Sequence, residues 1–481
     1  MSELFELNPQ RVFFYFNEIT KIPRPSYKEK AISDYLAEFG RKIGLETYQD
    51  KLGNVIIKKP ASEGMEEVPA IVLQGHMDMV CVSVDPSIDW NQDAVKAYID
   101  GDYVRAKDTS LGADDGIAIA MMLAVLESDS IAHPALEAVF TVCEEVGLDG
   151  ASGLDVGMIE GRRLINIDSE EDYNLVVGCA GGATLRASIP LHRKKIEGVR
   201  YVLEVSGLTG GHSGQEIDKG GANANVIMGR ILSSLQTDKL PALISIHGGT
   251  KNNVIPTACN AEFIVSEHDA HIIENIMPSL SDVIASEYAV SDPDFTVRLA
   301  CHGKATAEAF NEETVRKILL TLNMVPNGVQ AMSQNIKGLV ETSLNLGVLS
   351  CTRREVTYEY SLRSGEASAL TCLIGKITTF IKYLNGNVTV SGRYPAWKFR
   401  DDSPLRELAK AKYHELTGKD YNILTIHAGL ECGILCDRIP EMDAISIGPN
   451  LYNVHTVKEH LSISSTQLVW NLLLEILKSK S

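Results

Sequence analysis

Three apolar runs in this chain lead directly to residues that can bind a metal ion or move a proton. Ile71-Val72-Leu73-Gln74-Gly75 leads to His76, Phe140-Thr141-Val142-Cys143 to Glu144-Glu145, and Leu164-Ile165-Asn166-Ile167 to Asp168. Ile445-Ser446-Ile447 leads through Gly448-Pro449 to His455, and Asp114-Asp115 opens a helix-like stretch beginning near Gly116. In open α/β sheets ligands gather beyond the carboxyl ends of strands, so residues this far apart in sequence can converge. Two imidazoles with three carboxylates (His76, Asp114, Glu145, Asp168, His455) suit zinc, with cobalt or manganese as alternatives, and the count suggests two ions. Glu144 is then left over, and hydrolysis needs such a carboxylate: beside the activated water but not a ligand, free to act as general base. Spacing permits this division without fixing it. Asp78, two residues beyond His76 and on the same strand face, is placed to orient the imidazole. Each piece alone has an ordinary reading, Asp114-Asp115 as a helix cap and Glu144-Glu145 as a solvated turn. Their joint occurrence at strand ends argues for a site.

The elements that must position these residues alternate. Asn8-Pro9 reads as an N-cap and first helical position, followed by the apolar face Phe13, Phe14, Phe16 and Ile19, and a second helix is expected over 27–43. Strand-like runs at 54–58, 70–73, 138–142 and 164–167 and a helix-like run at 117–126 argue an α/β sheet. From about Thr184 the texture changes to longer alternating runs (201–205, 262–265, 357–362) with helical stretches at 223–235 and 367–384, which suggests an inserted α+β domain. After Arg393 the pattern returns to helix (403–416), strand (421–426), helix, strand (444–447) and a final amphipathic helix. The expected domains are thus 1–185 and 393–481 forming one discontinuous unit, with 186–392 inserted.

Composition narrows the function. Forty-five basic against 63 acidic side chains give a formal charge of −18, which repels phosphate backbones and anionic membranes, so neither nucleic acid nor membrane is an expected partner. The N-terminus lacks a signal-peptide pattern, and no apolar run is long enough to span a bilayer. Nine cysteines form no regular framework and read as reduced, mostly buried thiols, in keeping with a cytoplasmic location.

His76-Met77-Asp78, Gly112-Ala113-Asp114-Asp115-Gly116, Glu144-Glu145-Val146-Gly147 and Asp168 resemble the zinc exopeptidase superfamily containing carnosinases, peptidase T and carboxypeptidase G. Gly178-Cys179-Ala180-Gly181-Gly182, Gly210-Gly211-His212-Ser213-Gly214 and Ile426-His427-Ala428-Gly429-Leu430-Glu431-Cys432-Gly433 resemble its aminoacyl-histidine dipeptidase branch, and the match runs over almost the whole chain. The resemblance implies a discontinuous catalytic domain with a mixed sheet flanked by helices, and an inserted lid. It implies two zinc ions sharing Asp114, with His76 and Asp168 on one and Glu145 and His455 on the other, and a cis peptide between Asp114 and Asp115. It further implies a metal-bridging water activated by Glu144, His212 and Asn253 at the oxyanion, and Arg363 on the substrate carboxylate. His427 joins the substrate-binding group, although the chemical role of His427 and Cys432 does not follow from the residues. Gly116 stands where many relatives in the wider superfamily carry Lys, a position the branch tolerates. The expected activity is hydrolysis of unblocked dipeptides, aminoacyl-histidine types included, with a deacylase or carboxypeptidase as the alternative and a non-catalytic binding protein disfavoured by the complete ligand set. Small peptides are the expected partners, and a homodimer is left open.

Overall fold

Ile71–His76 and Leu136–Thr141 are buried along their whole length, as strands covered on both faces must be. They pair in parallel with one another, Ile71–His76 pairs in parallel with Arg163–Asn166, and Arg163–Asn166 with Asp443–Ser446. The computed structural model, which describes residues 3–480 apart from Gln236, Asp238 and Asn335, builds an eight-stranded sheet around this parallel centre. Its order is Glu46–Gln49, Val55–Lys59, Leu136–Thr141, Ile71–His76, Arg163–Asn166, Asp443–Ser446, Asn174–Cys179 and Asn422–Ile426. The flanking pairs Glu46–Gln49 with Val55–Lys59, Val55–Lys59 with Leu136–Thr141, and Asp443–Ser446 with Asn174–Cys179 are antiparallel, which makes the sheet mixed.

The helix Ala113–Glu127 is buried all round from Gly116 to Leu126, which explains why its sequence shows no polar face. It packs on Gln10–Ile19 and on the strand Ile71–His76. Asp114 and Asp115, in its first turn, have non-helical backbone angles, and the peptide between them is cis as the resemblance implied. The helices Pro404–Thr417, capped by Ser403, and Ile463–Leu477 pack on each other.

This sheet and its helices form one unit, made of the chain up to Cys179, Trp397–Thr425, and the chain from Leu430 onward. The second unit, Ala180–Ala396 with Ile426–Gly429, is built on a nine-stranded antiparallel sheet. Val340–Cys351, Glu355–Ser364 and Gly181–Pro190 are consecutive neighbours in it, and the helices Ala224–Ser234, Glu267–Glu287, Glu312–Met324 and Ala367–Tyr383 belong to the same unit. Tyr201, Leu203, Ile231, Phe263 and Leu362 lie in its separate core.

Several expectations shift. The units divide just outside residues 185 and 392, because Gly181–Pro190 and Asn387–Tyr394 pair with each other in the second sheet. Ile426–Gly429 also groups with the second unit, which the sequence did not suggest. Pro9 is extended and precedes the first helix, and the Asn8 side chain does not cap it. The second helix begins at Lys30 rather than Tyr27, whose φ of 66° is left-handed. None of the nine cysteines is in a disulfide, but only Cys143, Cys179, Cys259 and Cys432 are buried.

Candidate active site and metal centre

The parallel strands deliver their terminal residues to one place. Asp114 Oδ1 lies 3.0 Å from His76 Nε2, and Asp114 Oδ2 lies 3.0 Å from His455 Nε2. His455 Nε2 is also 3.0 Å from Glu145 Oε2, and His76 Nε2 is 3.6 Å from Asp168 Oδ1. Three donor sets each gather within 4.8 Å: His76 with Asp114 and Asp168, Asp114 with Glu145 and His455, and His76 with Glu144 and Glu145. All six residues singled out at strand ends therefore meet.

Asp78 is fully buried and does more than the sequence suggested. Its carboxylate accepts the backbone N–H groups of Glu144 at 3.0 Å and Glu145 at 3.3 Å, and the Ser26 hydroxyl at 2.7 Å. His76 Nδ1 lies 3.1 Å from the Asp78 carbonyl and 3.5 Å from its carboxylate. A donor at Nδ1 leaves the Nε2 lone pair facing Asp114 and Asp168, the orientation a metal ligand needs.

The charge balance of the cluster favours a cation. Burial pushes the Glu144 carboxyl well above the usual range, with the Asp168, Glu145 and Glu431 carboxylates adding to the effect, and burial likewise raises Glu145 and Asp168. Burial alone would lower the pKa of His455, yet Asp114 and Glu145 raise it to about 11. Asp114, which burial would raise, is instead held low by His455 and His76. Glu145 Oε1 is buried without a hydrogen-bond partner. Crowded carboxylates and an orphaned oxygen are the fit expected of a site for divalent ions.

Beneath the cluster runs a polar belt that sequence reasoning missed. Glu431, fully buried, accepts from Gln74 Nε2 and Thr141 Oγ1, each at 2.6 Å, and Gln74 Oε1 accepts from Asn166 Nδ2 at 2.7 Å. Asn166 Oδ1 in turn accepts from Ser446 Oγ. Four adjacent parallel strands are thus cross-linked one layer below their functional ends. Burial pushes Glu431 up to about 7, with the Asp168 and Asp78 charges adding. Polar residues inside the otherwise apolar strands were the available signal.

The second unit holds its own cluster. Arg363, nine-tenths buried, donates from Nη1 to Tyr394 Oη at 3.0 Å, and its Nη2 lies 3.5 Å from His212 Nε2. His212 Nδ1 accepts from the backbone N–H groups of Gly214 at 3.3 Å and Gln215 at 3.2 Å, so the neutral ring carries its proton on Nε2. Two donors then face each other. Ser343 stands directly opposite Arg363 on the neighbouring strand, and Ser343 Oγ lies 2.7 Å from His427 Nε2. Gly182 stands opposite Arg363 on the other side and opposite Tyr394 beyond it. A Cβ at Gly182 would lie 2.4 Å from Tyr394 Oη, so only glycine lets that hydroxyl reach the guanidinium. Asn253 is brought beside this group by the bridge of His212 with Val254 and by its carbonyl accepting Ser213 N–H at 2.9 Å, although its side chain is exposed. Tyr394 and Ser343 were not singled out from the sequence, because strand register alone brings them to Arg363 and His427.

A family model for peptidase family M20/M25/M40 matches residues 72–479. The chain belongs to peptidase family M20/M25/M40. It is 36% identical over 483 residues to the cytosol non-specific dipeptidase of Escherichia coli (strain K12), covering 99% of each chain. The crystal structure of aminoacylhistidine dipeptidase from Vibrio alginolyticus matches it with a TM-score of 0.88 and 34% identity over 99% of this chain and 98% of that one. Aminopeptidase PepT from Bacillus cereus ATCC 10987 shares the fold at a TM-score of 0.57 and 18% identity, covering 98% of both. Membership in the M20/M25/M40 family implies divalent metal ions, which the donor set of the first unit suits.

Proposed function

We propose that this protein is a metal-dependent dipeptidase that hydrolyses unblocked dipeptides, aminoacyl-histidine types included, in the cytoplasm. The observation that carries the reading is Asp114, whose two oxygens each lie 3.0 Å from a different imidazole, as a ligand shared by two ions would. His76, Asp114 and Asp168 would hold one ion, and Asp114, Glu145 and His455 the other. The donor set suits zinc, with cobalt or manganese as alternatives. When bound, such ions polarise the scissile carbonyl and lower the pKa of the attacking water.

The chain's own residues supply the rest. Asp78 fixes the backbone of Glu144, so the Glu144 carboxylate is positioned to take a proton from the attacking water and return it to the leaving amine. In the second unit, His212 Nε2–H and Arg363 face each other as donors, and Arg363 makes no ion pair with a carboxylate among the described residues. A substrate oxygen placed between these two donors would accept from both. Arg363 would take the free carboxylate, His212 and Asn253 the oxyanion, and His427 would line the same subsite. Full-length similarity to proteins named as dipeptidases supports this choice over a deacylase.

A panel of free dipeptides, amidated dipeptides and N-acetylated amino acids, run with defined metals, tests the reading. Free dipeptides are expected to be cleaved best. Preference for N-acetylated amino acids would replace the dipeptidase reading with that of a deacylase.

A further inference from the structure

The loop from Leu111 to Asp114 is gripped from two sides by charged side chains from remote parts of the chain. Glu459, 3% exposed, accepts four consecutive backbone N–H groups. Leu111 at 2.8 Å and Gly112 at 3.0 Å donate to its Oε2, and Ala113 at 2.8 Å and Asp114 at 3.4 Å to its Oε1. Arg24, 1% exposed, donates to the carbonyl oxygens of Met77 and Asp78, each at 3.1 Å, and to that of Gly112. Gly112 is therefore held at both its N–H and its C=O. It takes φ 69°, and a Cβ there would lie 2.6 Å from Arg24 Nη2 and from Met79 Sδ.

Burying a charge is costly unless partners compensate it, and an apolar pair could fill the same volume. Here the partners are peptide groups, and the two charges have opposite signs on opposite sides of one loop. Their placement follows the candidate ligands. Arg24 joins Met77-Asp78, which directly follow His76, to Gly112. Glu459 lies four residues beyond His455 and holds the N–H of Asp114 itself. The geometry points to Arg24 and Glu459 as a pair of positioning residues that lock the backbone of Asp114, so that its two carboxylate oxygens diverge toward His76 and His455. This rests on the reading of Asp114 as the shared ligand.

The test is metal binding by the full chain. Metal-free wild type, Asp114→Asn, Glu459→Gln and Arg24→Lys are titrated calorimetrically with Zn2+, and the thermal midpoint of each metal-free protein is recorded. Asp114→Asn examines the underlying reading: if it binds two ions as wild type does, Asp114 is not shared and the clamp has nothing to position. With that control losing ions, Glu459→Gln, whose amide nitrogen must face N–H donors, is expected to lose roughly 10- to 100-fold in ion affinity, the range for outer partners of metal ligands. Excess metal should restore its turnover with KM unchanged. Arg24→Lys replaces the guanidinium fork with a single ammonium and should lose affinity in the same direction, by less. A merely structural role would lower the thermal midpoint while the folded protein bound Zn2+ with wild-type affinity, and that result overturns the proposal. If Glu459→Gln does not fold, Arg24→Lys decides by the same criterion.

Discussion

The two units gather functional groups by different geometries, and the groups carry opposite charge. In the first, parallel strands end side by side, so residues just beyond each strand meet although up to hundreds of positions separate them, and the result is a crowd of carboxylates around His76 and His455. In the second, antiparallel register lines up Ser343, Arg363, Gly182 and Tyr394 across four strands, and the group holds one guanidinium and neutral partners. A parallel sheet concentrates chemistry at its edge, whereas an antiparallel sheet displays it along a row. The negative cluster suits cations and proton transfer; the positive row suits an anionic substrate end.

The sharpest way to break this division is to remove the base and leave the ligands. Glu144→Gln keeps the shape, and its backbone N–H still has Asp78 to donate to. Turnover should fall by at least about 100-fold, the typical scale of general-base loss, while both ions remain bound. Steady-state kinetics with metal analysis checks both halves, and near-normal turnover would remove Glu144 from the mechanism.

The next largest effect belongs to the second unit. Amidation of the substrate's C-terminus removes the charge assigned to Arg363, and kcat/KM should weaken by about 1.5–3 kcal/mol, the range for a hydrogen bond to a charged group. Arg363→Ala should lose as much on the free dipeptide and little more on the amidated one, since both changes delete the same contact. Additive losses in that double comparison would mean that Arg363 serves something other than the carboxylate.

How far each cluster was legible in the sequence follows from the same contrast. His76, Glu144, Glu145 and Asp168 stand just after apolar runs, so each strand and its candidate metal-binding or proton-moving residue are visible together, and the helix opened by Asp114-Asp115 is marked by its apolar length. Nothing local announces that Ser343 faces Arg363 or that Tyr394 reaches it across Gly182, since register is set by strand pairing between distant segments. His212, Asn253 and Arg363 were accordingly reached through family resemblance, and Tyr394 was missed. Arg24 and Glu459 escaped for a similar reason. A charged residue that binds backbone groups across the fold has no spacing of its own, and its sequence neighbours read as ordinary surface.

The smallest effect tests whether the second cluster is kept singly charged. Burial lowers the His427 pKa to about 4, with the Arg363 charge adding to the effect, so the His427 ring beside Arg363 is neutral in neutral solution. The ordinary histidine value is about 6.5. Because folding favours the neutral ring, its contribution to stability is fully present above pH 6.5 and is lost as the pH falls toward 4. Between pH 7 and pH 5.5 wild type should lose about 1 kcal/mol more than His427→Gln, which has no proton to take up at that position. Thermal midpoints of the metal-free full chain, measured for both proteins across that interval, give the difference, and an NMR titration of the ring gives its cause. A ring that titrates near 6.5 would place a second positive charge beside Arg363 in mildly acidic solution. The cluster would then be a pH-variable site, and the contrast between a fixed cationic row and a carboxylate-rich sheet edge would not hold.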